Sequence, residues 1–440
     1  MTVKLSSSLK VSVLAVATAM ALSACGESLE VTLVNPPSHG GGDDHDHDHG
    51  HDHDRSGRLV MTSFDDDHAY VLDLHDEAII ADFHLNNPAA RIYSSPGYRY
   101  AVAIERADGV VSFIDSGLET EAHGDHDHHH EHEPSLLDFK LYGELPTHYD
   151  WFETRGAVFF DGVPGVAAKV AALSDHSLSE GRILADLHLA RNQHGAAEIR
   201  GNDLFVSYRS VDVEGVLPDF VEVYERHSDH FDFVQRFQEP CPSLHGSATT
   251  SVYVTFGCAD GVLVVTENES GFAAHKLANS EQIEAAGSRI GTLYAHDNTQ
   301  NFVGRAGQEL YWLHLDDGDM HHIDWRGEDN AESQIRAAGF NYSGNRFAIL
   351  DDTGHLTVVR FRADHYEIQS VVKVLDSVGS QAPAIAFSAT SHDAFITDPL
   401  AQEVIIFDLH DGVVEERIAL EFAPAAVSWH GFLSESGHHH

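Results

Sequence analysis

The sequence predicts an all-β protein: a β-propeller, most simply of eight blades, closed by pairing strands from the two ends of the chain. Three observations predict it. From Arg58 onward the chain reads as short alternating strands split by Asp/Gly turns, and helical periodicity is nearly absent. A unit of strand, acidic turn, strand, turn and strand returns about every 40 to 50 residues, the spacing of propeller blades. Each unit is preceded by a strand of small apolar residues, as in SATT (247–250), IRAAGF (335–340) and APAIAFS (382–388). Small side chains suit the innermost strand of a blade, because the blades crowd together at the axis.

Taken in order, residues 1–24 read as an export signal and not as structure. Lys4 and Lys10 make its positive end, and VSVLAVATAMAL (11–22) is too short to span a bilayer. It ends in LSAC. This resembles a bacterial lipobox, which implies cleavage before Cys25 and acylation of its thiol. The plainer alternative is an ordinary secretory signal cut nearby. Gly26 follows, so the usual aspartate that retains a lipoprotein in the inner membrane is absent, and a periplasm-facing outer-membrane anchor is expected. Residues 25–57 are a His/Asp-rich tether with too little apolar content for a core, expected to be disordered.

The folded domain is expected over 58–434. Units fall near 90–143, 146–190, 194–238, 245–278, 291–325, 335–372 and 382–420. The stretch 58–85 lacks a small-residue first strand, and APAAVSW (423–429) lacks followers. Joined, they make the eighth blade and close the ring. Seven blades is the alternative count, because 146–190 is poorly formed. A helical turn is expected near SEQIEAAG (280–287), and 435–440 is a tail whose terminal HHH, native or a remnant of expression, is given no role.

The formal net charge is −44, with 35 histidines. Nucleic acid and anionic membrane surfaces are excluded as partners, since phosphate binding needs clustered Lys and Arg. Cations are attracted. Once Cys25 is set aside, two cysteines remain. In an oxidising compartment Cys241 and Cys258 are expected to form a disulfide. It would close a loop of about 17 residues and contribute roughly 3 kcal/mol. Two buried free thiols are the alternative.

Three consecutive first strands are entered through a histidine: THYD (His148), QHGA (His194) and LHGS (His245). If the blade register holds, these imidazoles meet at the channel mouth, as a tetrahedral zinc site requires. Asp150 and the turn Asp66–Asp67–His68 fall on the same face, and Asp67 is a candidate fourth ligand. The plainer reading is three unrelated surface histidines. A long insertion, HGDHDHHHEHE (123–133), lies between third and fourth strands, so on the opposite face, near His296, His392 and His430. It offers His123, His126, His128 and His130, with Asp125 as a carboxylate. For His296 and His392 turn capping is the plainer reading. The tether carries His45, His47, His49, His51 and His53. In extended HxH segments the rings lie on one side, roughly 7 Å apart. Such a strand gathers an ion with moderate affinity and fast exchange, which is chemistry for capture and handover. Imidazole and carboxylate donors, oxidised sulfurs and four unclustered methionines favour Zn(II), with Ni(II) and Cu(II) as alternatives.

Together the export signal, the His/Asp-rich N-terminal segment, the propeller-like body, the pair CPSLHG (241–246) and FGCADG (256–261), and the internal HGDHDHHH resemble the AztD-type periplasmic zinc metallochaperones. The resemblance spans the mature chain. It implies a protein that binds zinc in the periplasm and passes it to the solute-binding protein of a zinc ABC transporter; a monomer is expected. Acylation of Cys25 would depart from a freely diffusing carrier. No Ser-His-Asp signature, nucleotide loop or tryptophan cluster is found, so an enzyme is not expected. The alternatives are a zinc store without a dedicated transfer partner, or a non-catalytic scaffold whose histidines switch charge near pH 6.5.

Overall fold

A computed structural model describes residues 56–433, apart from 89, 124–125, 270, 297–298, 316–317 and 328–330. Cys25, His45, His47, His49, His51, His53 and Asp125 therefore lie outside the described residues. So do residues 1–55 and 434–440, on which the signal, tether and tail readings fall. The side chains of His123 and His126 are not described either.

Among the described residues the strands form eight four-stranded blades and one separate hairpin. Blade one runs Arg91–Ser94, Tyr100–Glu105, Val110–Asp115 and Ser135–Tyr142; blade two runs Pro146–Phe152, Arg155–Phe160, Lys169–Leu173 and Ala185–His188. Blade three begins at Ala197–Arg200 and blade four at Ser247–Thr249. The next three begin at Thr292–Ala295, Ile335–Phe340 and Ile385–Phe387. Blades two and three touch along one parallel pair, Asp186 with His230. The unit at 146–190 is therefore a full blade, and the count is eight. Its third strand is the small-residue run KVAAL, which resembles a first strand in sequence, and a helix, Asp175–Ser179, precedes its fourth. The helical turn expected near 280–287 is Glu281–Ala285.

The ring closes as the two end fragments require. Pro424–His430 is the first strand of blade eight, and Arg58–Ser63, His68–Asp73 and Ala78–His84 are its other three. Leu59 pairs with Trp429 and Met61 with Val427. First strands of successive blades adjoin around the axis. Their small residues, such as Ala197, Ala248, Ala337 and Ala386, are buried. The blades are cemented by large side chains between them. Tyr98 stands edge-on to both Trp151 of blade two and Trp429 of blade eight, with centroids 5.6 and 5.4 Å away.

Strand direction assigns every loop to a face. All first strands begin on one face, called here the entry face, and run to the far face. Antiparallel pairing then puts second-to-third turns and the connections between blades on the entry face. First-to-second and third-to-fourth turns fall on the far face.

Candidate metal centre

His148, His194 and His245 reach the entry face by three different local devices. His148 sits in the first strand of blade two, where the register slips between Pro146 and His148. Such a bulge re-aims a side chain out of the regular pleat. His194 lies in the connection from blade two to blade three, where its N–H donates to Val216 O at 2.9 Å. His245 lies in the connection from blade three to blade four. Its N–H donates to Gly257 O at 2.9 Å, and Gly257 N–H returns to Gly246 O at 3.0 Å. The Cys241–Cys258 disulfide, S–S 2.06 Å, ties this connection to the end of the second strand of blade four.

The three rings converge. Ring centroids of His148 and His194 are 5.1 Å apart, those of His194 and His245 5.1 Å, and those of His148 and His245 6.0 Å. One nitrogen from each lies within 4.8 Å of the others.

The outer nitrogens are engaged. His194 Nδ1 stands 2.9 Å from Asp161 Oδ2, and His245 Nδ1 stands 2.7 Å from Gly291 O. Acceptors at both Nδ1 positions fix the Nδ1–H tautomer and aim the Nε2 lone pairs inward. The two Nε2 atoms are 3.2 Å apart. For a tetrahedral zinc ion with Zn–N near 2.05 Å, the ligand–ligand edge is about 3.3 Å. Two inward-facing lone pairs at this spacing repel each other unless a cation lies between them. A single divalent ion satisfies both.

Electrostatics agree. Burial lowers the His245 pKa to about 4, with the neighbouring charges of His148 and His194 adding to it. The ring is thus neutral and ligand-competent at ordinary pH. Asp161 is 4% exposed. Burial alone would raise its pKa. The hydrogen bond and charge of His194, with help from Arg106 and His148, hold it below the usual carboxylate value instead. Arg106 Nη2 lies 3.0 Å from the same carboxylate oxygen. Asp161 thus stays ionised and holds the orientation of the His194 ring.

Asp161 was not singled out in the sequence. It sits in FFDGVPG (159–165), at a second-to-third turn like the Asp/Gly turns read as turn chemistry alone. Asp67, by contrast, is not brought into the centre. Its turn is on the entry face, but its carboxylate lies 3.1 Å from His84 Nε2 on the outer strand of its own blade. Its neighbours are committed there too: Asp66 accepts from Tyr70 at 2.8 Å, and His68 Nδ1 lies 2.8 Å from Asp82. Asp150 accepts from Trp151 N–H at 2.8 Å.

The internal histidine run is an ordered hairpin, Leu118–His123 with His126–Glu131, on the far face. It lies on the face opposite the entry-face trio. His123 and His126 occupy paired register positions. His128 and His130 are exposed, with centroids 6.3 Å apart. His296 and His430 are buried on the far face, and burial lowers each to about pKa 3. His430 bonds Ser428 Oγ at 2.7 Å and Tyr98 O at 3.2 Å, a structural role. His392 lies 5.0 Å from His410, beside Asp408 and Asp411, which form a second, more exposed group of possible ligands.

No family model matches the chain. The zinc chaperone AztD of Citrobacter koseri is 24% identical over 395 residues, 87% of this chain and 89% of that protein. Its crystal structure superposes with a TM-score of 0.73 at 23% identity, over 87% of this chain and 99% of that one. Apo AztD from the same organism gives 0.71 at 22% identity, over 85% and 98%. The dihydro-heme d1 dehydrogenase NirN shares the fold at a TM-score of 0.58 and 13% identity, over 84% and 74%. The propeller alone therefore does not choose a function. In sequence and in fold together, over most of its length, this chain resembles the zinc chaperone AztD.

Proposed function

We propose that this chain is a periplasmic, non-catalytic zinc chaperone. It holds Zn(II) at His148, His194 and His245 and hands it to the solute-binding protein of a zinc ABC transporter. One observation carries the reading: two imidazole nitrogens stand 3.2 Å apart, each on a ring whose other nitrogen has its own acceptor. The likeness to AztD supports zinc as the cargo.

The chemistry of handover follows from the ligand count. Three protein ligands leave one tetrahedral position for an incoming donor. The trio is half-buried at the entry face, so a docked protein's side chain can take that position. Stepwise exchange then moves the ion without releasing it to bulk water. An open zinc position also serves hydrolases. Here the buried acid, Asp161, is bound to His194 and Arg106 and is committed to orienting a ligand. The segment 45–54 captures ions at moderate affinity, and a lipid on Cys25 holds the carrier at the membrane that faces its partner.

The test is a transfer assay. The zinc-loaded chain is mixed with the solute-binding protein, and arrival of zinc is timed against loss to a chelator in excess. Direct handover is faster than loss to the chelator and is abolished in His148→Ala. Transfer no faster than spontaneous dissociation would refute the chaperone reading.

A further inference from the structure

The turn from second to third strand lies on the entry face of every blade. In six blades it is two to four residues long. Blades two and three break the pattern. Theirs are the eight residues 161–168, between Phe160 and Lys169, and the eleven residues 209–219, between Tyr208 and Phe220. These two blades are the ones entered through His148 and His194. Loops longer than closure requires, on a rigid scaffold, are where function concentrates.

Both loops are held from beneath. In the first, Val163 and Val166 exchange backbone bonds of 3.0 and 2.8 Å across Pro164 and Gly165. In the second, Ser210 N–H donates to Asp219 at 2.7 Å, and Arg209 Nη1 donates to Gly215 O. The carbonyl of Val216 accepts the His194 N–H at 2.9 Å. Two bonds join the loops: Ala168 N–H to Arg191 O at 3.1 Å, and Arg191 Nη1 to Ser210 O at 2.8 Å. They therefore form one surface, bonded directly to the backbone of a metal ligand.

That surface is apolar and acidic. Val166, Val211 and Val216 are 47, 72 and 49% exposed. The other exposed large apolar side chains among the described residues lie on fourth strands at the rim, Val252 and Leu400 apart. Between the valines stand Asp212 and Glu214, both exposed and neither in an ion pair among the described residues. A second copy of the chain does not complement such a surface. A two-fold contact would set these carboxylates against their own kind, and each chain carries a formal charge of −44. A basic patch around an apolar side chain does complement it.

We propose that loops 161–168 and 209–219 are the docking surface for the protein that takes the ion, and that this protein meets them with Lys or Arg side chains around an apolar one. The proposal rests on the carrier reading and deepens it by naming the partner's chemistry. Long-range attraction steers a basic patch toward the acidic chain. The valines give the contact its apolar centre. Their place beside His194 brings the incoming donor to the open coordination position.

The experiment uses the zinc-loaded mature chain and a purified solute-binding protein of a zinc ABC transporter from the same organism. Docking affinity, transfer rate at low and high salt, and spontaneous loss of zinc to a chelator are measured. The variants are Asp212→Lys with Glu214→Lys, Val211→Ser, and, as a far-face control, Val252→Ser. Charge reversal should slow transfer about tenfold or more and abolish its salt dependence. Val211→Ser should weaken docking about three- to tenfold. Neither should change spontaneous zinc loss, and Val252→Ser should change nothing. Parental transfer rates in both loop variants overturn the docking surface and leave the carrier reading standing. Faster spontaneous zinc loss in them gives the loops a part in holding the ion and also overturns it. So does a parent that sediments as a dimer and becomes a monomer on charge reversal, which gives the surface to a second copy. A parent that transfers no faster than it dissociates refutes the carrier reading itself, and this proposal with it.

Discussion

The entry-face trio and the far-face hairpin are both histidine clusters, and they are built on opposite principles. The trio is gathered from three blades, half-buried, with an acceptor behind two of its rings. The hairpin presents His128 and His130 on one exposed pleat. Tight metal binding needs rings that are neutral, oriented and already close. The trio's rings are close together, two of them are oriented by acceptors, and burial keeps His245 neutral at the expense of desolvating it. Histidine density therefore predicts capture, and histidine preorganisation predicts retention.

The largest expected effect tests retention. His194→Ala should weaken the tight zinc ion on the order of several hundredfold, if a four-ligand site's binding energy is shared among its ligands. Competition titration would show the loss. Second, the double variant Cys241→Ser, Cys258→Ser should lower stability by roughly 3 kcal/mol, read as an earlier chemical denaturation midpoint. Because the bridge ties down the connection that bears His245, zinc should leave the variant faster. An unchanged off-rate would mean that the backbone bonds of His245 suffice.

The third effect is smaller. Asp161→Asn keeps the shape and removes the charge behind His194, so affinity should fall about 10- to 100-fold. An unchanged affinity would separate His194's orientation from its basicity. The last concerns acid. His430 has its pKa lowered by burial to about 3, so the unfolded chain takes up its proton near pH 6.5 and the folded chain does not. Stability from this group is complete above pH 6.5 and is lost as pH falls from there toward 3, by at most about 1.4 kcal/mol per unit. Thermal melts of the zinc-free protein from pH 7.5 to 4.5 should slope accordingly. His430→Gln should flatten the slope while lowering stability at pH 7.5.

The blades were legible because crowding at an axis leaves its mark in composition, and runs such as IRAAGF announce the inner strand. The closure was legible as two incomplete fragments. The trio could be read because each histidine directly precedes, or opens, a first strand. Asp161 could not, since an aspartate in a D-G turn looks the same whether it caps the turn or supports a ligand. Asp67 was misread because sharing a face does not imply reach: its partner His84 is on the outermost strand of the same blade. The hairpin was hidden for another reason. Its composition is that of a solvated linker, and the groups that order it, Arg58 and Phe432, are distant in the chain.

Pairing of Arg58 with His430 brings the two ends of the folded chain to the same side of the ring. That side is opposite the mouth bearing His148, His194 and His245. A partner that docks on the trio therefore meets the face of the ring that neither end of the folded chain occupies.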